Sequence, residues 1–149
     1  MAEVSIALNI RDLAGNLVLA LEDEANGYWV RGGGLPAETR NPVRDEIRSR
    51  FVDGATDVGM TLDQTEASVL VKVFGPTWAD VEARFQALLD ATTARAWLLE
   101  QVVEGVRVTR RAGAVEVFAP PPTAADILNK HRYVALTFPV QPSRTVTGV

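Results

Sequence analysis

The run from 66 to 101 constrains this chain more than any other. Glu66-Ala67-Ser68-Val69-Leu70-Val71-Lys72-Val73-Phe74 reads as a strand, and Gly75-Pro76 ends it. Thr77-Trp78-Ala79-Asp80 then opens a helix. The Thr77 hydroxyl is placed to accept the unpaired amide three residues on, and the Asp80 carboxylate to reach back to the Thr77 amide. Asp is shorter than the usual Glu or Gln, so this capping box is approximate. Trp78, Val81, Phe85, Leu88 and Leu89 form one apolar stripe, with Asp80, Glu82, Arg84, Gln86 and Asp90 on the other faces. In a chain otherwise rich in strands, one amphipathic helix covers a face of the sheet and closes the core.

The remaining segments read as strands and turns. Val4, Ile6, Leu8 and Ile10 alternate with Ser5, Ala7 and Asn9; after Ala14-Gly15-Asn16, a second strand returns over Leu17 to Leu21 as a hairpin. Asp23 to Gly27 is a turn, and Tyr28-Trp29-Val30 a short strand cut off by Gly32-Gly33-Gly34. The stretch 32–44, rich in glycine and proline, reads as a flexible loop or extended arm. Glu46 to Val52 fits strand or helix. Strand is preferred, with Ile47 and Phe51 facing in, because Asp53-Gly54 then makes a turn; Val58 to Leu62 is a further short extended piece.

Thr92-Thr93 end the helix. Ala96 to Val103 either continues it or forms a strand. The turn chemistry of Glu104-Gly105 and the alternation of Val106 to Arg111 favour the strand, with Ala114 to Phe118 extending or following its partner. Pro120 to Pro122 stop sheet pairing. Thr123 to Asp126 is a second approximate capping box, opening a short helical turn through Asn129. Arg132 to Val140 is a last strand, with Tyr133, Ala135, Thr137 and Pro139 on one side and Val134, Leu136, Phe138 and Val140 on the other; beyond it the tail is small and polar. The expected fold is α+β, mainly β: a small barrel or sandwich with one packed helix. Its expected core comprises Val69, Val71, Trp78, Phe85, Leu88, Leu136 and Phe138.

The 149 residues are expected to form one domain, with 1–31 a hairpin and strand, 32–44 the loop or arm, 45–142 the core and 143–149 a tail. Apolar content of 47% and charged content of 23% are those of a soluble globular protein. A net charge of -4 argues against nucleic acid as the main partner. The chain has no cysteine, which excludes disulfides, iron–sulfur clusters, thiolate zinc sites and cysteine nucleophiles. No run approaches a membrane span, and no export signal is visible.

Chemistry is scarce. His131, the one histidine, has no second His or Cys to complete a metal or catalytic set, and reads as a surface residue in a basic turn. Asp53 and Asp57 lack the spacing and closing Glu of an EF-hand, and read, like Asp23 and Glu24, as solvated turns. Gly32, Gly33 and Gly34 are followed by no Gly-Lys-Ser/Thr and no helix start, which excludes a phosphate loop. Arg107 and Arg111 share one face of a strand and Arg110 opposes them. Such a run is ordinarily a solvated face, and second a pairing surface for acids on a neighbouring subunit. No nucleophile–base pair is identifiable by spacing, so no enzyme, catalytic residue, cofactor or metal is expected. A β-rich domain with an extended arm suits binding to other proteins, since strand edges and arms let identical subunits join and close into rings.

The second half has a more specific likeness. A strand ending in Phe74-Gly75, a Thr77-capped helix, a hairpin around Glu104-Gly105, a proline-bearing excursion and a closing strand Tyr133 to Val140 before Gln141-Pro142 follow in that order. Phe51-Val52-Asp53-Gly54 precedes the central strand. This order, over roughly 45–142, resembles the minor tail and distal-tail (tail-hub) proteins of long-tailed bacteriophages, which share a split-barrel domain with tail-tube subunits. The resemblance implies a structural virion protein, made in the bacterial host cytoplasm and located in the tail. It would form a ring of six copies or a multiple around a channel for DNA and the tape-measure protein. Its partners would be its own copies and the tube, hub and tape-measure proteins, with DNA only in transit. The acidic net charge suits a lumen along which DNA slides. A non-catalytic barrel binding a small ligand is the alternative, and an enzyme that borrows residues from a partner subunit ranks third.

Overall fold

The computed structural model describes residues 5–31, 36–49, 52–141 and 144–148, with side chains described outside 39–64. The strands are β1 (Ile6–Arg11), β2 (Leu17–Ala20), β3 (Tyr28–Val30), β4 (Ala37–Ser49), β5 (Val52–Phe74), β6 (Ala96–Val103), β7 (Val106–Gly113), β8 (Glu116–Phe118), β9 (His131–Val140) and β10 (Thr145–Thr147). The helices are α1 (Trp78–Ala91) and α2 (Ala124–Asn129). All ten strands belong to one sheet, curled into a half-barrel, in the order β2-β1-β6-β7-β9-β5-β3. β4 adds to β5, β8 to β9 and β10 to β7. The fold is α+β and mainly β, as the patterning implies.

Register follows from the two-residue period. Ala67, Val69, Val71 and Val73 of β5 are buried, as are Val134, Leu136, Phe138 and Val140 of β9. The antiparallel register sets Ala67 opposite Phe138, Val69 opposite Leu136 and Val71 opposite Val134. A slip of one residue would turn both apolar rows to water, so this pairing is strongly specified. Leu8 and Ile10 of β1, Tyr28 and Val30 of β3, and Trp97 and Leu99 of β6 complete the same cluster. Trp97 packs edge-on against Phe138, ring centroids 4.9 Å apart, and its indole N–H donates to the Gly113 carbonyl at 2.7 Å.

α1 lies on the concave face. Val81 and Leu88 are fully buried, while Trp78 and Phe85 pack against the core from partly buried positions. Thr77 Oγ1 accepts the Asp80 amide at 3.2 Å, but the Asp80 carboxylate takes the Thr77 hydroxyl at 2.8 Å. Half of the expected capping box therefore forms. At α2 the box is complete: the Thr123 amide donates to Asp126 Oδ2 at 3.0 Å and the Asp126 amide to Thr123 Oγ1 at 3.2 Å. Three polar ties fix α1 to the sheet. Tyr28 Oη donates to the Arg84 carbonyl at 2.8 Å, and Arg84 Nη1 donates to the Phe74 carbonyl at 2.7 Å. The Arg132 guanidinium lies 3.9 Å from the Phe85 ring centroid and bonds Glu82 Oε1 at 2.9 Å. Gly27, at φ +83°, admits this arrangement, since a Cβ there would strike the Phe74 carbonyl and the Arg84 side chain.

After α1 the chain is a strand, β6, and Glu104 and Gly105 both take positive φ, 50° and 81°. That is the geometry of a two-residue hairpin loop matched to strand twist. β7 and β8 run as one bent strand against β9 and β10. The rungs pass from Glu116–Thr137 through Ala112–Val140 to Thr109–Thr145. Pro139, which has no amide hydrogen, sits where β9 exchanges β8 for β7.

Three expectations need correction. Of the loop or extended arm expected over 32–44, the loop alternative fails for 37–44, which is extended as the start of β4, with Pro42 at a register shift between Asn41 and Val43. Asp53-Gly54 is not a turn. It lies inside β5, which runs without a break through Val58 to Leu62 to Phe74, because pairing with β4 overrides the weak strand preference of its glycines. The polar tail also returns to the sheet as β10, whose Thr-Val-Thr sequence is β-branched throughout. The side-chain directions expected of Ile47 and Phe51 lie outside the described residues.

Leu88→Ala is expected to lower unfolding stability in urea by about 2–5 kcal/mol, and Thr77→Ala by about 1 kcal/mol. A Leu88→Ala loss below about 1 kcal/mol would show that α1 does not close the core.

Candidate functional site

The arginines of β7 divide as their spacing requires. Arg107 and Arg111 point away from the core and Arg110 points to the other side, where it is buried. They are not simply a solvated run. Glu100 of β6 stands opposite Asn9 on one side and Thr109 on the other. Its carboxylate, only 5% exposed, accepts Asn9 Nδ2 at 2.8 Å and Arg11 Nε at 2.9 Å, with Arg107 Nε at 3.3 Å. Burial alone would raise the Glu100 pKa. The Asn9 and Arg11 hydrogen bonds and the charges of Arg11 and Arg107 outweigh it and hold the pKa below the ordinary value. Arg110 pairs with Glu38 of β4 and donates from Nε to the Gln141 carbonyl at 3.1 Å. Burial, with the nearby charge of Arg144, lowers its pKa. Two of the three arginines thus find acids within their own chain, and the Arg110–Glu38 pair ties β7 to the base of the β4–β5 hairpin.

His131 is half-buried rather than a free surface residue. Its Nε2 lies 3.3 Å from Asp126 Oδ1, and its ring meets that of Tyr133 at a tilt of 59°, centroids 5.2 Å apart. The backbone hydrogen bond from Thr123 is the largest of the effects that lower the Asp126 pKa. These contacts fasten α2 to β9 and bring no further titratable group to the histidine. Asp23 caps the 3-10 turn Glu24–Asn26. The side chains of Asp53 and Asp57, and the glycines 32–34, lie outside the described residues. Among the described residues no three His, Asp or Glu side chains gather as a metal site, and no helix is long and apolar enough to cross a membrane. The concave face, where a barrel would hold a ligand, is filled by the protein's own side chains, with Phe138, Leu136, Leu99 and Leu8 fully buried.

The least satisfied feature is the β4–β5 hairpin. β5 shares its last rung with β9 at Thr65–Val140, yet pairing with β4 continues to Ser49–Val52. Over 52–64, β5 has β4 as its sole strand partner among the described residues. The result is a two-stranded ribbon with a contour length on the order of 40 Å and two open edges. A two-stranded ribbon is marginal by itself in water, and its unpaired amides and carbonyls are a template for another chain. The sequence suggests a loop or extended arm over 32–44; the ribbon comprises 41–49 and 52–64.

No protein-family model matches the chain, and no curated protein matches it. Among solved structures, it shares its fold with the SPP1 Dit (gp 19.1) protein, described as a paradigm of the hub adsorption apparatus in phages infecting Gram-positive bacteria. The TM-score is 0.56 at 14% identity, and the match covers 93% of this chain. The chain spans half the length of that protein.

Because the folded-state pKa of Glu100 is lowered, its contribution to stability is complete above the ordinary glutamate value of 4.5 and is lost as pH falls below it. Glu100→Gln should cost about 1–3 kcal/mol at neutral pH and flatten the decline of stability with acid. Denaturant titrations at a series of pH values check this; an unchanged acid slope would remove Glu100 from the account.

Proposed function

We propose that this protein is a structural subunit of a bacteriophage tail, of the distal-tail or tail-hub type. The observation that carries the reading is the fold shared over 93% of the chain with a tail-hub protein. The order of strand, capped helix, hairpin and closing strand in the sequence supports it independently. The physical need of the β4–β5 ribbon supports the assembly role, because its open edges call for strands from another subunit. The subunits form a ring of six or a multiple around the DNA channel, in contact with tube, hub and tape-measure proteins, and the protein resides in the virion tail. A net charge of -4 suits a wall past which DNA slides without binding.

Electron-microscopic class averages of the complex recovered from its natural source test this reading. Three-fold or six-fold rings, alone or stacked on a tube, are expected. A chain that stays monomeric at every concentration and joins no particle would overturn it. Replacing 43–60 by an Asn-Gly turn should leave a folded protein with the same thermal transition that no longer assembles; persistence of assembly would show that the ribbon plays no part.

A further inference from the structure

Two exposed apolar patches lie in opposite halves of the strand order, and the charges beside them differ in sign. The first lies on β2, a terminal strand paired with β1 alone. Leu13, Leu17 and Val18 are 53%, 54% and 46% exposed. A groove of about 370 Å³ is lined by all four residues of β2 together with Asp23, Asn26 and Tyr28. Asp12 adjoins Leu13 and Glu24 follows Asp23, while Arg11, opposite Leu17, is taken up by Glu100 and the Gly15 carbonyl, so the charge left around the patch among the described residues is acidic. Among the described residues Arg84 is the one cation lining the groove, and its Nη1 donates to the Phe74 carbonyl.

The second patch is the outward face of β3, β5, β9 and β8. The register aligns Trp29, Lys72 and Tyr133 in one row and Leu70, Ala135 and Phe118 in the next. Phe118 is 68% exposed, and Trp29 and Leu70 are more than a third exposed. Cations attend these rings: Lys72 Nζ is 5.9 Å from the Trp29 centroid and the Arg31 guanidinium 5.1 Å from that of Tyr133. The acids of this face, Glu66 and Glu116, stand in the rows nearer the arm, opposite Pro139 and Thr137. Asp126, bound to His131, adjoins Tyr133 from the other side, so within the two aromatic rows themselves the charges among the described residues are those of Lys72 and Arg31.

We propose that the β2 patch of one copy seats on the aromatic face of the next. The inference rests on the assembly reading above and specifies which surfaces form the joint. Apolar side chains on both sides exclude water, and the acidic surround of one meets Lys72 and Arg31 of the other. Two different patches make a head-to-tail contact, which passes from copy to copy and closes only when the rotation permits.

Two variants of the full chain test the joint. Leu17→Lys with Val18→Lys spoils the β2 patch, and Trp29→Ser with Phe118→Ser spoils the aromatic face. All four positions are exposed, and circular dichroism verifies folding. Light scattering behind size exclusion should find oligomers for the parent chain and monomers for each variant alone. An equimolar mixture should give a 1:1 dimer that grows no further, because one intact patch remains on each partner. Oligomers of either variant alone would overturn the joint while leaving the assembly reading intact, and so would a mixture that stays monomeric. A parent chain that never assembles would overturn both.

Discussion

Strand β5 does two jobs with one backbone. From Thr65 to Phe74 it is the centre of the fold, paired with β9 along one edge and with β3 and the start of β4 along the other. From Val52 to Gln64 the same strand leaves that setting and keeps β4 as partner. The first half is held by registered burial: Val69 faces Leu136 and Val71 faces Val134, and α1 presses Val81 and Leu88 onto the same cluster. The stability of the domain comes from this half. The second half has an edge that no other strand among the described residues pairs with.

Polar contacts then fix how the sheet curls. Arg84, Tyr28 and Arg132 tie α1 to three different strands. Glu100 gathers Asn9, Arg11 and Arg107, so that β1, β6 and β7 converge on a single buried carboxylate. Removing one partner from such a set leaves buried charge without compensation, which is more costly than the pair is worth. Arg110 joins β7 to Glu38 at the base of the arm. The ribbon therefore leaves the domain from a braced root.

What the sequence made readable was whatever local chemistry enforces. The alternation of β9, the Thr77 and Thr123 caps and the Glu104-Gly105 loop appear in the structure where their residues require them. The misreadings share one cause. Asp53-Gly54 and Pro42 have the chemistry of turns, yet both lie within long strands, because a partner strand outweighs local preference. Thr145-Val146-Thr147 looked like tail because its partner, β7, lies far away in sequence. Glu100 gave one faint signal, a carboxylate inside an apolar strand; Arg107 lies near it across the Glu104-Gly105 hairpin, but Asn9 and Arg11 come from a segment 91 and 89 residues away that no spacing rule connects to it. The exposed patches on β2 and around Phe118 were equally hidden, since an apolar residue in a strand reads as core until the strand order shows which face is covered.

Assembly as proposed requires that another subunit complete the ribbon's open edges. Amide hydrogen exchange over 52–64, compared between dilute and assembled protein, measures this directly. Fast exchange at high dilution and strong protection on assembly are expected, while 65–74 stays protected in both. Equal protection of 52–64 in the dilute monomer would contradict it, since the ribbon would then need no partner.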